Sequence, residues 1–307
     1  MVRFVKHLVD VRYMSFENQD MRVIPHSFAS ALVEAYSRNM NYLYCGNVVF
    51  PRAIVHLSGA LTNLRIDFSG VSIDYFPSVI SESLEELTLL ELPDTFSMSH
   101  FAHHDQTRHI HFSNLKWLTL KYRQTDMEFD QAVFSQISNT KSHLYYKIQA
   151  PKLKVLILEH ITPHCDMLYS LNGLRLETFY FTGKSVSVAT LLRLLSRLDN
   201  LTNLHVYNVT TNEAMDMIFE NDMRVLAGMA PRSTRLISMY IKRQATHDAL
   251  SHSQMMYIVK FLMANTPSLQ RLGVLDEIMA EVKTFAEANS QHHPHLSGVR
   301  IFSAWPH

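Results

Sequence analysis

Histidine is the residue type in this chain that first invites a chemical reading. Eighteen are present in 307 residues, and most gather in SHFAHHDQTRHIHF (99–112), EHITPHC (159–165) and QHHPHL (291–296). Imidazoles that converge on one point with a carboxylate or thiolate make a metal site. His103, His104, Asp105, His109 and His111 supply such donors in the first stretch, and His160, His164 and Cys165 in the second. Neither follows the paired-cysteine and spaced-histidine pattern of a zinc site. Both clusters read as solvated loop histidines, and no metal is assigned.

Other chemistry is thin. Cys165 follows His164 directly, and adjacent residues seldom aim both side chains at one point, so no thiolate–imidazole pair is assigned. Glu85 and Glu86 alternate across a predicted strand and face opposite sides, which does not suit a carboxylate dyad. The G-x-S-x-G elbow, the phosphate-cradling glycine loops and H-E-x-x-H are all missing from the sequence. With only eight glycines the chain has little means of letting backbone approach phosphate. No catalytic residue and no cofactor are assigned, and the chain is expected not to be an enzyme. A metal-dependent enzyme built on the histidine-rich stretch stands as an alternative.

Composition bounds the partners. A hydrophobic fraction of 47% and a charged fraction of 18% are those of a folded globular chain. Lys and Arg number 28 and balance 28 Asp and Glu, so neither nucleic acid nor an anionic membrane is the expected partner. No apolar run is long enough to span a bilayer, and charges at Arg3, Lys6 and Asp10 interrupt the first apolar stretch. Two cysteines, Cys45 and Cys165, make no disulfide framework and fit a reducing, intracellular compartment, cytoplasmic or nuclear.

What positions these residues is a recurrent pattern of leucine, two residues, leucine, one residue, apolar residue. LEELTLLEL (84–92), LKWLTL (115–120), LKVLIL (153–158) and LTNLHV (201–206) all show it. Lenient matches begin at Met40, Leu61, Leu84, Leu115, Leu153, Leu176, Leu201, Leu236, Leu269 and Leu296, with spacings from 21 to 38 residues. A further candidate is Leu8-Val11-Tyr13. Heptads and propeller blades do not give such spacings, whereas leucine-rich repeats of roughly 20–29 residues with lengthened units do. The fourth and sixth positions alternate with polar or variable residues, the period of a half-buried strand. The stretches 25–39, 185–200, 212–229, 251–265 and 277–289 carry apolar residues three and four apart and are predicted helices, with Ser185, Asn212 and Ser251 as N-caps. The expected fold is therefore α/β. It is an irregular leucine-rich-repeat solenoid, a horseshoe with parallel concave-face strands and helical or irregular convex returns. One domain covers 1–307, with about 10–11 repeats and a histidine-rich insertion near 94–113.

The strands LEELTLLEL, LKVLILEHI and LTNLHVYNV, with irregular units and helical returns, resemble the repeat region of F-box/leucine-rich-repeat proteins, particularly fungal forms. The F-box itself is not visible. Residues 1–13 already read as strand, so the sequence looks like a repeat region that begins without its usual cap. The resemblance implies a protein–protein recognition scaffold that acts as the substrate-binding part of a ubiquitin-ligase receptor. Its partners would be a protein on the concave face and, through an F-box, a ubiquitin-ligase adaptor. A small-GTPase regulator of leucine-rich-repeat type is the other binding alternative.

In such a solenoid the third, fifth and seventh positions of each unit face outward. Seven of those thirty residues are aromatic, where a 10% background gives about three. Tyr, Trp and Arg are also enriched at interface hot spots. The expected partner-binding residues are Tyr42, Tyr44, Arg65, Glu86, Trp117, Tyr180, His205, Tyr207, Tyr240 and Arg300. Tyr180, Tyr207 and Tyr240 are expected to align on consecutive strands.

Overall fold

A computed structural model describes residues 11–16, 31, 35, 39–46, 60–67, 83–92, 110–122, 148–160, 175–187, 198, 200–210, 238–242 and 252–303. The protein is α/β, and its strands pair in parallel. The chain divides into two compact units, Met1–Leu153 and Lys154–His307.

In the first unit β1 (Tyr13–Phe16), β2 (Tyr42–Gly46), β3 (Asn63–Asp67) and β4 (Glu86–Leu92) pair in chain order. Next come β5 (Ile110–His111), β6 (Trp117–Tyr122) and β7 (Ile148–Gln149). β6 pairs with β4, while β5 and β7 form a separate two-stranded ladder. The second unit holds β8 (Val155–Glu159), β9 (Thr178–Ser187), β10 (Asn203–Thr210), β11 (Ser238–Lys242), β12 (Arg271–Val274) and β13 (Arg300–Ser303). These six also pair in order.

Register explains why leucine recurs. Leu43, Leu64, Leu87 and Leu118 are Cα partners across β2, β3, β4 and β6. Cys45, Ile66, Leu89 and Leu120 form the next inward row. All eight are at most 3% exposed, and the residues between them are mostly half-buried, as a sheet with one covered face requires. The second unit repeats the arrangement with Leu156, Phe179 and Leu204 in one row and Leu158, Phe181 and Val206 in the next. Full burial of each such side chain stabilises by about 1.5–3 kcal/mol.

The strand starts are stitched in one recurring way. The Asn41 carbonyl accepts from the N–H groups of Thr62 and Asn63, and Thr62 does the same for Glu85 and Glu86. Glu85 accepts from Lys116 and Trp117, and in the second unit Lys154 accepts from Glu177 and Thr178. One carbonyl thus serves two donors where each ladder begins, which pins the register before the apolar rows follow.

Two helices are described, both in the second unit: α1 (His252–Asn265) between β11 and β12, and α2 (Asp276–Asn289) between β12 and β13. They match the helices expected at 251–265 and 277–289. α1 buries Met255, Ile258, Val259, Leu262 and Met263, and α2 buries Ile278, Val282 and Ala286. Both sets recur at three- and four-residue spacing, one face of a helix. Asp276 and Glu277 occupy the first turn of α2, where carboxylates suit the helix dipole. A 3₁₀ helix, Pro294–Gly298, leads into β13.

Several expectations are corrected. The pattern Leu8-Val11-Tyr13 would turn Tyr13 inward, yet Tyr13 pairs with Tyr42 and is 62% exposed. Met14 and Phe16 are the register partners of Leu43 and Cys45, a slip of three residues that reverses the faces. The pattern beginning at Leu296 slips by two: Arg271 pairs with Arg300 and Leu272 with Ile301, while Leu296 is buried within the 3₁₀ helix. Gly298 consequently lies outside the last strand. Ser185 caps no helix, because β9 runs through Ser187. Of the helix expected at 185–200, residues 185–187 are strand, 198 and 200 are not helical, and the rest lies outside the described residues, as do the helix expected at 212–229 with Asn212, and Ser251. Of the stretch 25–39, Ala31 and Ala35 are helical.

Candidate recognition face

In each unit the sheet face opposite the apolar rows holds expected partner-binding residues in rows set by register: Tyr42, Tyr44, Arg65, Glu86 and Trp117 in the first, Tyr180, His205 and Arg300 in the second. In the first unit one row runs Tyr13, Tyr42, Asn63, Glu86, Trp117, and the next Ser15, Tyr44, Arg65, Thr88, Thr119. Tyr13 and Tyr42 stack at 4.4 Å with rings within 10° of parallel. Burial, then the neighbouring Tyr13, pushes the Tyr42 phenol above its ordinary pKa, and Arg65 opposes this. The Arg65 guanidinium lies 5.0 Å from the Tyr44 ring centroid, close enough for a cation–π contact. Asn63 Nδ2 donates to Glu86 Oε2 at 2.7 Å, and Trp117 Nε1 donates to Thr119 Oγ1 at 3.0 Å. Trp117 is nevertheless 40% exposed, a large apolar surface left to solvent.

A bulge re-aims the end of β4. Glu91 takes φ 53°, and the register with β6 slips between Leu89 and Leu92. The added residue keeps Leu90 and Glu91 off the core face and returns Leu92 to it. Glu91 then reaches Lys121 at 4.0 Å.

In the second unit one row is Val155, Thr178, Asn203, Ser238, Arg271, Arg300. The next is Ile157, Tyr180, His205, Tyr240, Gly273, Phe302. The Tyr180 ring and the His205 imidazole lie 5.6 Å apart. Burial, then the positive charge of Arg271, holds His205 below its ordinary pKa. Arg271 also lies 5.6 Å from the Phe302 ring centroid. Tyr207 does not align with Tyr180 and Tyr240: its partners are Thr182 and Lys242, one row further along, and His205 takes the middle place. Leucine spacing located the strands, but the tyrosine sits two residues beyond the histidine that completes the row.

Tyr13 is the outer-face aromatic that sequence reading missed. The signal was the alternative pattern Val11-Met14-Phe16, which fits the spacing equally well and turns Tyr13 outward.

Of the histidine clusters, His103, His104, Asp105, His109, His164 and Cys165 lie outside the described residues, and His111 belongs to β5. His160 has φ 59°, and its N–H donates to the Thr182 carbonyl. His295 Nε2 lies 2.9 Å from the Met263 carbonyl, which ties the 3₁₀ helix to α1. Among the described residues no three His, Cys, Asp or Glu side chains gather where a metal could bind. Glu85 pairs with Lys116 and Glu86 accepts from Asn63, so the two carboxylates answer to separate partners. Among the described residues no helix is long and apolar enough to cross a membrane. No protein-family model matches the chain, and no curated protein matches it.

Proposed function

We propose that the chain is a leucine-rich-repeat solenoid, with the sheet face described above as its concave surface, and that this surface recognises another protein inside the cell. In this reading it is a binding module, not a catalyst. It corresponds to the substrate-binding part of a ubiquitin-ligase receptor of the F-box/leucine-rich-repeat kind. The observation that carries the reading is the outer face itself. Aromatic and arginine side chains stand in register over a sheet whose other face is filled with leucine, so they contribute nothing to that core. Tyr13, Tyr42, Tyr44, Trp117, Tyr180 and His205 offer rigid, amphipathic area of the kind that anchors interfaces. The parallel pairing and the in-register leucines are what a stack of strand-and-return units would produce.

The test is affinity capture of the tagged chain from its native cell, followed by mass spectrometry, in parallel with two variants. One carries Tyr42→Ala and Tyr44→Ala, the other Tyr180→Ala and His205→Ala. At least one variant is expected to lose partners that the unaltered chain retains, with thermal unfolding still cooperative. Unchanged capture by both variants would remove the outer face from consideration. A ubiquitin-ligase adaptor among the retained proteins would support the ligase assignment, and its absence alongside other partners would reduce the reading to recognition alone.

A further inference from the structure

We infer that the outer face of the second unit binds an extended, acidic segment of a partner protein, with Arg271 and Arg300 as the carboxylate-binding pair. This rests on the reading of that face as a protein-recognition surface and names the chemistry of what it recognises. Arg271 and Arg300 are Cα partners on adjacent parallel strands, and both are exposed. Neighbouring strands lie roughly 4.8 Å apart, so the two arginine side chains leave the same face from neighbouring backbone positions. Like charges that close repel one another, and a carboxylate between them relieves the repulsion. Among the described residues the ion pairs are Lys116–Glu85, Lys121–Glu91, Lys154–Glu177 and His252–Glu281, and neither arginine takes part in one.

The surroundings support a peptide carboxylate as occupant. The contact with Phe302 holds the Arg271 arm against the sheet, which reduces the entropy lost when its planar fork engages a carboxylate. Burial and then Arg271 lower the pKa of His205, which disfavours a further positive charge there, and Tyr180 beside it adds flat apolar area. Charge is also polarised along the sheet. Glu159 lies on β8, while the two arginines lie on β12 and β13 at the opposite end of the strand order. A segment that crosses the strands along the row from Val155 with its acidic end at β12 and β13 meets Arg271 and Arg300. Two arginines within a chain of zero net charge suit such a segment better than a nucleic-acid backbone, which is normally met by an extended basic surface.

The experiment pans a random dodecapeptide phage library against the full chain and against an Arg271→Gln, Arg300→Gln double variant. Both positions are exposed, so the variant should fold, and its thermal melt verifies this. The unaltered chain is expected to enrich peptides with an excess of Asp and Glu, and the double variant is expected to lose that excess. A synthetic peptide from the selected pool should bind about tenfold more weakly to either single Arg→Gln variant. Enrichment without acidic excess, or an excess that persists in the double variant, overturns this inference and leaves the protein-recognition reading intact. Enrichment of nothing by the unaltered chain overturns both. Displacement of the selected peptide by a twelve-nucleotide oligothymidylate, more tightly than by the unlabelled peptide, would assign the face to nucleic acid and overturn the inference.

Discussion

In the first unit Glu86 accepts from Asn63, Arg65 lies over Tyr44 and Lys121 reaches Glu91, so charges of both signs are mixed over the outer face. In the second, Arg271 and Arg300 stand together on adjacent strands, with Glu159 on the far strand of the order. The inner faces show no such contrast. Leucine or another apolar residue occupies the same two register positions from β2 to β6 and again from β8 to β10. A parallel sheet with one covered face constrains every second residue by volume and water exclusion and leaves the alternate residues free to vary. Among the described strands, chemical individuality therefore resides on the outer face of each unit.

The largest expected effect tests the likeness of the inner faces. Leu87→Ala and Leu204→Ala, at fully buried and equivalent places in the two units, should each cost about 2–5 kcal/mol in urea unfolding. A cost below about 1 kcal/mol for one of them would end the equivalence, because that site would then relax as no packed core row does.

A smaller effect separates the units by pH. Cys45 occupies a register place filled by Ile66 and Leu89 on the following strands, and burial pushes its thiol up to about 12 from an ordinary 9.0. A folded-state value above the unfolded one means that the stabilising contribution is complete below pH 9 and is lost as pH rises toward 12. In a Cys165→Ser background, unfolding followed from pH 8 to pH 11 should show a decline that Cys45→Val reduces. Thiol reagents at pH 8 should label Cys45 only after denaturant is added. Rapid labelling of the folded protein would mean the thiol is not buried.

The smallest effect should be the same in both units. Lys116–Glu85 at 2.8 Å and Lys154–Glu177 at 2.7 Å join neighbouring strand starts, and all four side chains are about half exposed. Double-mutant cycles with alanine should return less than about 1 kcal/mol for each pair and fall further in salt, because solvent screens them. A coupling well above that in one unit would show that its strand starts are held by charge and not by the shared carbonyl.

Much of this was legible residue by residue. Wherever leucine held both inward positions, as at Leu87 and Leu89 or Leu118 and Leu120, the strand and its faces followed directly. The ends of the pattern did not yield so easily. Val11 and Tyr13 fit the alternation as well as Met14 and Phe16, and only pairing with β2 decides between them. At the other end Leu296 satisfies the first position of the pattern but is buried in a 3₁₀ helix that Pro294 helps to start. The two-residue slip there left the faces unchanged, so Arg300 remained outward. Tyr207 was placed on the correct strand but in a neighbouring row, because rows are a property of pairing and not of one strand.

Local alternation by itself determined which face of β2, β3, β4, β6, β8, β9 and β10 is apolar and where α1 and α2 lie, because period and volume are written along the chain. What only the tertiary structure decided is which outward side chains meet. Tyr13 stacks on Tyr42, Tyr180 lies beside His205, and Arg271 lies against Phe302. Those neighbours are distant in sequence, and hydrogen-bond register between strands, which no single segment encodes, brings them together.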